Sequence, residues 1–255
     1  MRHLTATDKD ILHIAVPAIV TNITVPLLGL ADLAITGHMG SAAYIGAIAV
    51  GGMMFNIIYW VFGFLRMGTS GLTSQAFGRA DTDECRRLLA RSLLVALAVA
   101  LCLLACQRPL LCVATAVIGV DEALLPMVRT YYSICIWGAP AMLCLYGLTG
   151  WYIGMQDTRI TMTVSIVQNV VNIVASVLLV YIGRLDIDGV ATGTVVAQYA
   201  GVAVAMAYLR HRHGVLLRGL RRADVFRYEA LAQFFTVNRD IFLGSVEKWW
   251  GFFYK

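Results

Sequence analysis

Charged side chains are scarce in this sequence: they make up 14% of its 255 residues, whereas hydrophobic residues make up 59%. A soluble domain usually has about 25% charged residues, which keep its surface hydrated. So little charge excludes an ordinary soluble protein and indicates an integral membrane protein. The net charge of +5 does not indicate nucleic-acid binding, because the basic residues lie between apolar stretches instead of forming one polar surface.

Lysine is rare as well, and the sequence lacks the motifs of ATP hydrolysis and metal binding. Its three lysines, Lys9, Lys248 and Lys255, do not follow a glycine-rich loop of the kind that cradles phosphates. The six cysteines form no CxxC pair, and no histidine pair or set of paired acids falls at membrane depth. We therefore expect no metal site, no cofactor and no enzyme activity. Any transport would have to be driven by an ion gradient.

Long apolar stretches predict an all-α protein with six membrane-spanning helices, because about 20 apolar residues are enough to cross a bilayer. The second and fourth stretches are long enough for a tilted helix or for one that extends into the cytoplasm. Together they predict a six-helix membrane domain over residues 1–209. The predicted spans are residues 10–35, 45–77, 88–114, 124–152, 160–183 and 187–209.

Basic residues are concentrated in alternate loops, which predicts the orientation of the chain. The second loop and the segment after the sixth span are rich in arginine, whereas the first loop, around residues 37–44, has neither arginine nor lysine. The positive-inside rule then places both termini in the cytoplasm, in a multi-pass protein of the cell membrane. Residues 210–240 are interpreted as a basic cytoplasmic linker, and residues 241–255 as the truncated stub of a seventh helix.

One carboxylate, that of Asp32, lies within the first predicted span among apolar residues. A charge there is costly in hydrocarbon, so Asp32 is expected to face a cavity or a polar partner and to exchange a proton. Alternatively, it ends the span at the outer interface, in contact with water. Pro26 would kink this helix and free the carbonyl group of Asn22, and Thr21 falls on nearly the same face as Asp32. The kink is either a moving part or a static feature.

The fifth span has a polar face. Its members recur at intervals of four, four, three and four residues, so a helix places them on one side. Such a face either lines a water-filled cavity or hydrogen-bonds one helix to another. The residues are Thr161, Ser165, Asn169, Asn172 and Ser176, with Gln168 beside them.

Two other spans carry stripes of small residues that include a glutamine. Stripes of this kind let helices pack closely, and the alternative is that their glutamines face a cavity. The stripe in the second span is Gly68, Gly71, Gln75 and Gly78, and that in the sixth span is Thr194, Gln198, Gly201 and Ala205.

Arg66 lies near the middle of the second span, where a guanidinium group needs a partner or a water path, and Asp32 is one conceivable partner. Trp151 and Tyr152, at the end of the fourth span, suit an aromatic belt at the membrane interface. The polar residues of these spans form the predicted coupling and substrate cavity. Its candidate residues, besides Asp32 for the proton, are Thr21, Asn22, Pro26, Arg66, Gln75, Asn169, Asn172, Ser176 and Gln198.

Five short motifs follow one another along residues 10–240. They are Asp32 with residues 37–40; Gly71, Gln75, Phe77 and Gly78; Pro140, Gly150, Gly154, Gln156, Asp157, Thr158 and Arg159; Asn169 and Asn172; and Gly189, Val190, Ala191 and Thr194. In order and spacing they resemble the MATE family of multidrug exporters, and most of all its DinF-like branch. The sequence resembles the N-terminal lobe of such an exporter.

This resemblance implies a twelve-helix protein of two six-helix lobes around a central cleft. It implies export of organic cations or drugs in exchange for H⁺ or Na⁺, with Asp32 as the coupling carboxylate and Asn172 as the fifth-helix asparagine. Many members carry an aspartate where this chain has Ser176, a difference that favours H⁺ over Na⁺.

The resemblance also implies three partners: membrane lipids, a small organic cation, and a second six-helix lobe from the same full-length chain or another subunit. Two alternatives stay open. The first is a truncated or half-length chain that is inactive unless it pairs with a second lobe. The second is a lipid or lipid-linked flippase, for which Arg66 would be the basic residue in the membrane.

Overall fold

The computed structural model of the chain describes residues 42–217 without a gap, together with residues 19, 23, 30, 34–37, 236, 238–241 and 243–244. The secondary-structure elements formed by these residues are helices. Five helical segments among them are long and apolar enough to cross a membrane. These segments are Ala43–Gly78, Thr82–Ala105, Leu125–Gly154, Thr158–Ile182 and Asp186–Gly214.

Two of the membrane-spanning segments, Ala43–Gly78 and Leu125–Gly154, each consist of two helices, joined by a break in the first and by a 3₁₀ turn in the second. In chain order the elements are α1 (Ala42–Val61), α2 (Gly63–Gly78), α3 (Thr82–Ala105), α4 (Gln107–Ile118), α5 (Leu125–Cys135), a 3₁₀ turn (Ile136–Gly138), α6 (Ala139–Gly154), α7 (Thr158–Val177), a π turn (Leu178–Ile182) and α8 (Asp186–Leu217).

The predicted all-α membrane fold is confirmed, with two corrections to the boundaries. The third span begins at Thr82 instead of residue 88 and ends at Ala105, because the prediction missed a polar first turn and a break at Cys106. Helix α8 continues to Leu217, past the predicted end of the sixth span at residue 209. The start of the predicted linker is therefore helical. The first predicted span lies almost entirely outside the described residues.

Two prolines account for helix breaks, one after α3 and one between α5 and α6. A proline cannot donate a backbone hydrogen bond to the residue four positions earlier, and its ring clashes with that carbonyl group. Pro109 disfavours continuation of a helix past Ala105, where α3 ends, and Pro140 has the same effect at Ile136, where the 3₁₀ turn begins. Each proline then lies in the first turn of the next helix, where its missing N–H group does no harm.

The N-terminus of α3 is held by a cap and by charge pairs. The Asp81 carboxylate accepts a hydrogen bond from the backbone N–H of Glu84 at 2.9 Å. The Glu84 carboxylate accepts from Arg91 at 2.7 Å and from Arg87 at 3.2 Å. The Arg91 side chain is only 3% exposed, so its charge depends on Glu84 for compensation.

Helix α6 occupies the centre of the described bundle, packed against α2, α3 and α8. Its glycines allow the closest approach. A Cβ atom on Gly150 would stand 2.5 Å from the carbonyl oxygen of Arg66, and one on Gly154 would stand 2.8 Å from that of Ser70. Side chains at either position would force α2 and α6 apart.

Trp151 and Tyr152 are fully buried, so the predicted place in an interfacial belt is wrong. The indole N–H of Trp151 donates to the carbonyl oxygen of Cys85 in α3 at 2.8 Å. The Tyr152 hydroxyl donates to the carbonyl oxygen of Ala205 in α8 at 2.7 Å. Because these polar tips find partners on neighbouring helices, the rings can pack in the core of the bundle instead of facing lipid.

Candidate functional site

The structure describes six of the ten predicted site residues. Asp32, Thr21, Asn22 and Pro26 all lie outside the described residues, so their roles stay predictions. The other six fall into three places: Asn169, Asn172 and Ser176 on α7, Gln198 on α8, and Arg66 and Gln75 on α2.

The polar face of α7 turns toward α8, and its centre is a buried contact between the two helices. Asn172 is fully buried, and its side-chain N–H group donates to the Thr194 hydroxyl at 3.1 Å. That hydroxyl donates in turn to the carbonyl oxygen of Val190 at 3.1 Å. One turn further along α7, Ser176 is also fully buried and lies directly against Gly193. At these positions, the polar face joins helix to helix.

Two oxygen atoms at this contact have no hydrogen-bond partner in the described part of the chain. They are the side-chain carbonyl oxygen of Asn172 and the hydroxyl of Ser176. Within hydrocarbon, a buried acceptor without a partner costs free energy, so each of these oxygens is expected to bond to a water molecule or to a group outside the described residues. Asn169 lies three residues before Asn172 and is half-buried. The three side chains therefore form one polar strip along α7.

Gln198 lies one turn after Thr194, on nearly the same face of α8. Its side-chain oxygen is packed against Gly138 so closely that a Cβ atom at position 138 would overlap it. The hydroxyl groups of Tyr59 and Tyr132 are buried nearby, and Phe55 stacks on both rings at centroid distances of 5.7 and 5.2 Å. The hydroxyl of Tyr132 and the side-chain oxygen of Gln198 lack a hydrogen-bond partner among the described residues. The Gln198 side chain is the hydrogen-bonding neighbour of the Tyr59 hydroxyl. We call Tyr59, Tyr132 and Gln198 the tyrosine–glutamine cluster.

Arg66 is exposed on α2 and borders an open pocket of about 280 Å³. The pocket lies beside the break between α1 and α2. Among the residues that the structure describes, no carboxylate pairs with Arg66. Its proposed pairing with Asp32 lies outside the described residues. The side chains that matter most in the pocket wall are Arg66, Tyr59, Trp60, Phe64, Met67 and Tyr146.

The two small-residue stripes behave differently. In the sixth span, Gly201 packs on Gln168, and Ala205 is fully buried, as expected for a close helix contact. In the second span, Gln75 is exposed, and a Cβ atom on Gly71 would meet nothing within 4 Å. Within this stripe, Gly68 is the residue that does make a close contact, with the side chain of Asn238. The close contact of α2 with α6 uses the α6 glycines instead.

Sequence reasoning missed a polar cluster near the ends of α6 and α8. The Tyr208 hydroxyl donates to the Asp157 carboxylate at 2.6 Å, and the imidazole of His213 lies 3.8 Å from the same carboxylate. The His213 ring makes an edge contact with Trp151. No spacing rule connects Asp157 with the other two residues, because it lies in the turn between α6 and α7, whereas Tyr208 and His213 lie on α8. The described residues also contain no group of three His, Cys, Asp or Glu side chains placed to hold a metal ion.

The chain matches known proteins over most of its length. The MatE family profile matches residues 17–178. DNA damage-inducible protein F of Escherichia coli (strain K12) is 36% identical over 252 residues, which cover 96% of this chain and 54% of that protein. Multidrug export protein MepA of Staphylococcus aureus (strain MW2) is 19% identical over 238 residues, which cover 93% of this chain and 52% of that protein.

Solved structures show the same fold. A MOP superfamily transporter from Pyrococcus furiosus superposes with a TM-score of 0.81 at 17% identity, over 93% of this chain and 52% of that one. The bent form of the Vibrio cholerae MATE transporter VcmN gives a TM-score of 0.71 at 19% identity, over 95% of this chain and 56% of that one.

The chain spans about half the length of the curated relatives it matches. Its buried polar strip lies within a bundle of membrane-length helices that superposes on part of each solved transporter. With a family profile that matches 162 residues and a relative at 36% identity, this chain belongs to the MATE family of membrane transporters and has the fold of one of its lobes.

Proposed function

We propose that this chain forms the N-terminal lobe of an antiporter that exports organic cations or drugs in exchange for protons. The relatives named as multidrug export protein MepA and probable multidrug resistance protein NorM support drug export. A second six-helix lobe, from the same full-length chain or another subunit, would supply the other wall of the cleft. The arginine-rich loops support a cell-membrane location with both termini in the cytoplasm.

The buried polar contact between α7 and α8 carries this proposal. Asn172 and Ser176 lie within the membrane-spanning segment Thr158–Ile182, and each keeps one oxygen without a protein partner in the described part of the chain. A purely structural bundle gains nothing from such acceptors, because the bilayer offers them no hydrogen bond. A transporter can use them, because water or a ligand that reaches this depth can bond to them.

Proton coupling is favoured over sodium coupling because the contact between α7 and α8 carries no negative charge. Asn172, Ser176 and Thr194 are all neutral, and helix α7 contains no aspartate or glutamate. A bare cation at membrane depth needs a negative charge beside it. We therefore assign the coupling ion as a proton and its acceptor as Asp32, outside the described residues.

The proposed cycle begins when a proton from outside neutralises Asp32. The neutral carboxyl group is a weaker hydrogen-bond acceptor, so the polar groups around it lose part of what holds them in place. The helix then bends near Pro26, where a backbone hydrogen bond is missing, and the cavity beside Thr21 and Asn22 becomes smaller. The cationic substrate leaves. In a simpler variant, proton and substrate compete directly for the Asp32 carboxylate.

Replacement of Asp32 by asparagine tests the coupling. In proteoliposomes with an imposed pH gradient, Asp32→Asn is expected to abolish drug efflux while the thermal unfolding temperature stays near that of the wild type. Asp188→Asn is the matched control, since Asp188 is exposed at the start of α8. It should transport normally. Efflux by Asp32→Asn at the wild-type rate would refute the proposed coupling.

The length of the chain leaves a second question, which is whether it transports alone. An antibody against its N-terminal residues can report the mass of the native membrane protein. A species near 27.9 kDa would mean that the half-length chain is made. It would then have to pair with another lobe, and crosslinking would reveal the pair. A species of about twice that mass is expected if both lobes share one chain.

A lipid or lipid-linked flippase is the second candidate function, and the exposed position of Arg66 favours it. A guanidinium group at membrane depth is suited to a phosphate headgroup, because it can donate two parallel hydrogen bonds to it. Movement of a fluorescent phospholipid between leaflets of the same proteoliposomes would support this candidate. Drug efflux without lipid movement would exclude it.

A further inference from the structure

We propose that the pocket beside Arg66 binds an amphipathic organic anion, with Arg66 holding the negative group and the aromatic wall holding the apolar body. This goes beyond the export of organic cations, and it does not depend on how transport is coupled. The binding partner is defined by its chemistry, a flat or flexible apolar group that ends in a carboxylate, sulfonate or phosphate.

Arg66 is placed where a charge requires compensation. The membrane-spanning segment Ala43–Gly78 ends at Gly78. At 1.5 Å per helical residue, Arg66 lies about 18 Å from that end, well inside the membrane-spanning segment. An arginine facing hydrocarbon at this depth is costly, so its exposed side must face a water-filled space or a ligand. None of the carboxylates in the described part of the chain pairs with it.

The wall of the pocket is apolar and aromatic. Trp60 and Phe64 lie on either side of the break between α1 and α2, and Tyr146 comes from α6. Aromatic rings offer large flat contact areas to an apolar ligand. The pocket volume of about 280 Å³ is near the lower end of ligand pockets, roughly 300–1,000 Å³. It therefore suits one ring system or the first part of an acyl chain.

Tyr59 links the pocket to the tyrosine–glutamine cluster. It lines the pocket and is 8% exposed, and the side chain of Gln198 is the hydrogen-bonding neighbour of its hydroxyl. A buried hydroxyl can donate to an anionic oxygen or to a water molecule that solvates one. The wall thus supplies a positive group and a hydroxyl donor.

The charge of the wall selects against cations at this pocket. Its lining contains one guanidinium group and no carboxylate. A cationic drug would be repelled by Arg66, whereas an anion would gain a charge-assisted hydrogen bond. Organic cations therefore require a different place on the lobe, with Asp32 as the proposed acceptor.

Two fluorescent probes that differ by one sulfonate group test the proposal. The anion 8-anilinonaphthalene-1-sulfonate and its neutral analogue N-phenyl-1-naphthylamine would be titrated into the full-length protein in nanodiscs of phosphatidylcholine. Hydrogen bonds to charged groups correspond to roughly a tenfold or greater change in affinity. Arg66→Ala is thus expected to weaken sulfonate binding at least tenfold, and Arg66→Lys to restore part of it. Binding of the neutral probe should change little.

Arg129→Ala is the matched control, because Arg129 is an exposed arginine of the fourth span outside the pocket. It should leave the affinity for the sulfonate unchanged. Unchanged sulfonate binding in Arg66→Ala, or equal losses in Arg129→Ala, would overturn the proposal. An equal loss of affinity for the neutral probe in Arg66→Ala would also overturn it.

A phospholipid headgroup or a free amphiphile could supply the anion, and nanodiscs with phosphatidylglycerol distinguish them. Competition with the sulfonate in the wild type but not in Arg66→Ala would identify a lipid occupant. Equal affinities in both bilayers would identify a free amphiphile. Because these are binding measurements, their failure would leave the transport proposal standing, and a transport-deficient protein could still bind the anion.

Discussion

Replacing Gly150 by alanine is expected to separate helices α2 and α6. The new Cβ atom would stand 2.5 Å from the carbonyl oxygen of Arg66, and 3.2 Å from that residue's carbonyl carbon and Cα atom. An ordinary carbon–oxygen contact is about 3.3 Å or longer. The helices must therefore move apart by roughly 0.8 Å, because the contact is with backbone atoms and no side chain can rotate away.

The loss of stability in Gly150→Ala can be estimated from the cost of overpacking a protein interior. An extra methyl group in a well-packed interior typically costs about 1–3 kcal/mol. For a chain of this length, 1 kcal/mol corresponds to roughly 2–4 °C in the unfolding temperature. Gly150→Ala should therefore unfold roughly 2–12 °C below the wild type. The displacement also reaches Arg66, so the anion affinity of the pocket should fall in the same variant.

The matched control is Gly71→Ala, on the facing helix α2. A Cβ atom there would meet nothing within 4 Å. Both substitutions gain the same helix propensity of up to about 1 kcal/mol, so the difference between the variants isolates the contact. Thermal unfolding in detergent can be followed by tryptophan fluorescence, to which Trp151, buried beside Gly150, contributes. Equal unfolding temperatures for the two variants would refute the proposed close contact of α2 with α6.

Two further predictions concern polar contacts inside the bundle. Asn172→Val and Thr194→Val should each destabilise the protein, and a double-mutant cycle on SDS-induced unfolding should give a coupling of about 0.5–1.5 kcal/mol. Additive effects would show that the 3.1 Å hydrogen bond contributes nothing. Arg91→Met should cost about 1.5–3 kcal/mol, because the buried guanidinium gives Glu84 its shortest hydrogen bond. Glu84→Gln keeps an acceptor oxygen but leaves the buried Arg91 charge uncompensated, so it should cost more than Arg91→Met, and the reverse order would contradict this account.

The outline of the fold could be predicted because the bilayer acts on each segment separately. A stretch of about 20 apolar residues crosses the membrane whichever neighbours it has, so composition alone located the five described spans. Local rules also explain the ends of helices. Asp81 caps α3, and Gly119, with φ of 69°, allows α4 to end in a left-handed residue. Periodicity alone predicted the single polar face of α7.

The sequence did not decide which groups meet across helices. Tryptophan is a residue type that is common at membrane interfaces, yet Trp151 is buried. Its N–H group donates a hydrogen bond to the Cys85 carbonyl group of another helix. The glycines at 71 and 150 look equally suited to close packing, but only that of α6 meets a backbone. Such contacts depend on how helices are rotated and paired, which periodicity within one helix cannot specify.

The candidate site, like the fold, could be predicted from the sequence only in part. The sequence by itself determined a membrane protein with polar residues inside its spans. Such residues stand out in the sequence because they are costly in hydrocarbon and therefore rare there. Only the tertiary structure decided that Asn172 bonds to Thr194 and that Arg66 opens onto an aromatic pocket without a described carboxylate partner. The physical reason is that hydrogen bonds and charge pairs form between whichever side chains the packing of helices brings within about 3 Å.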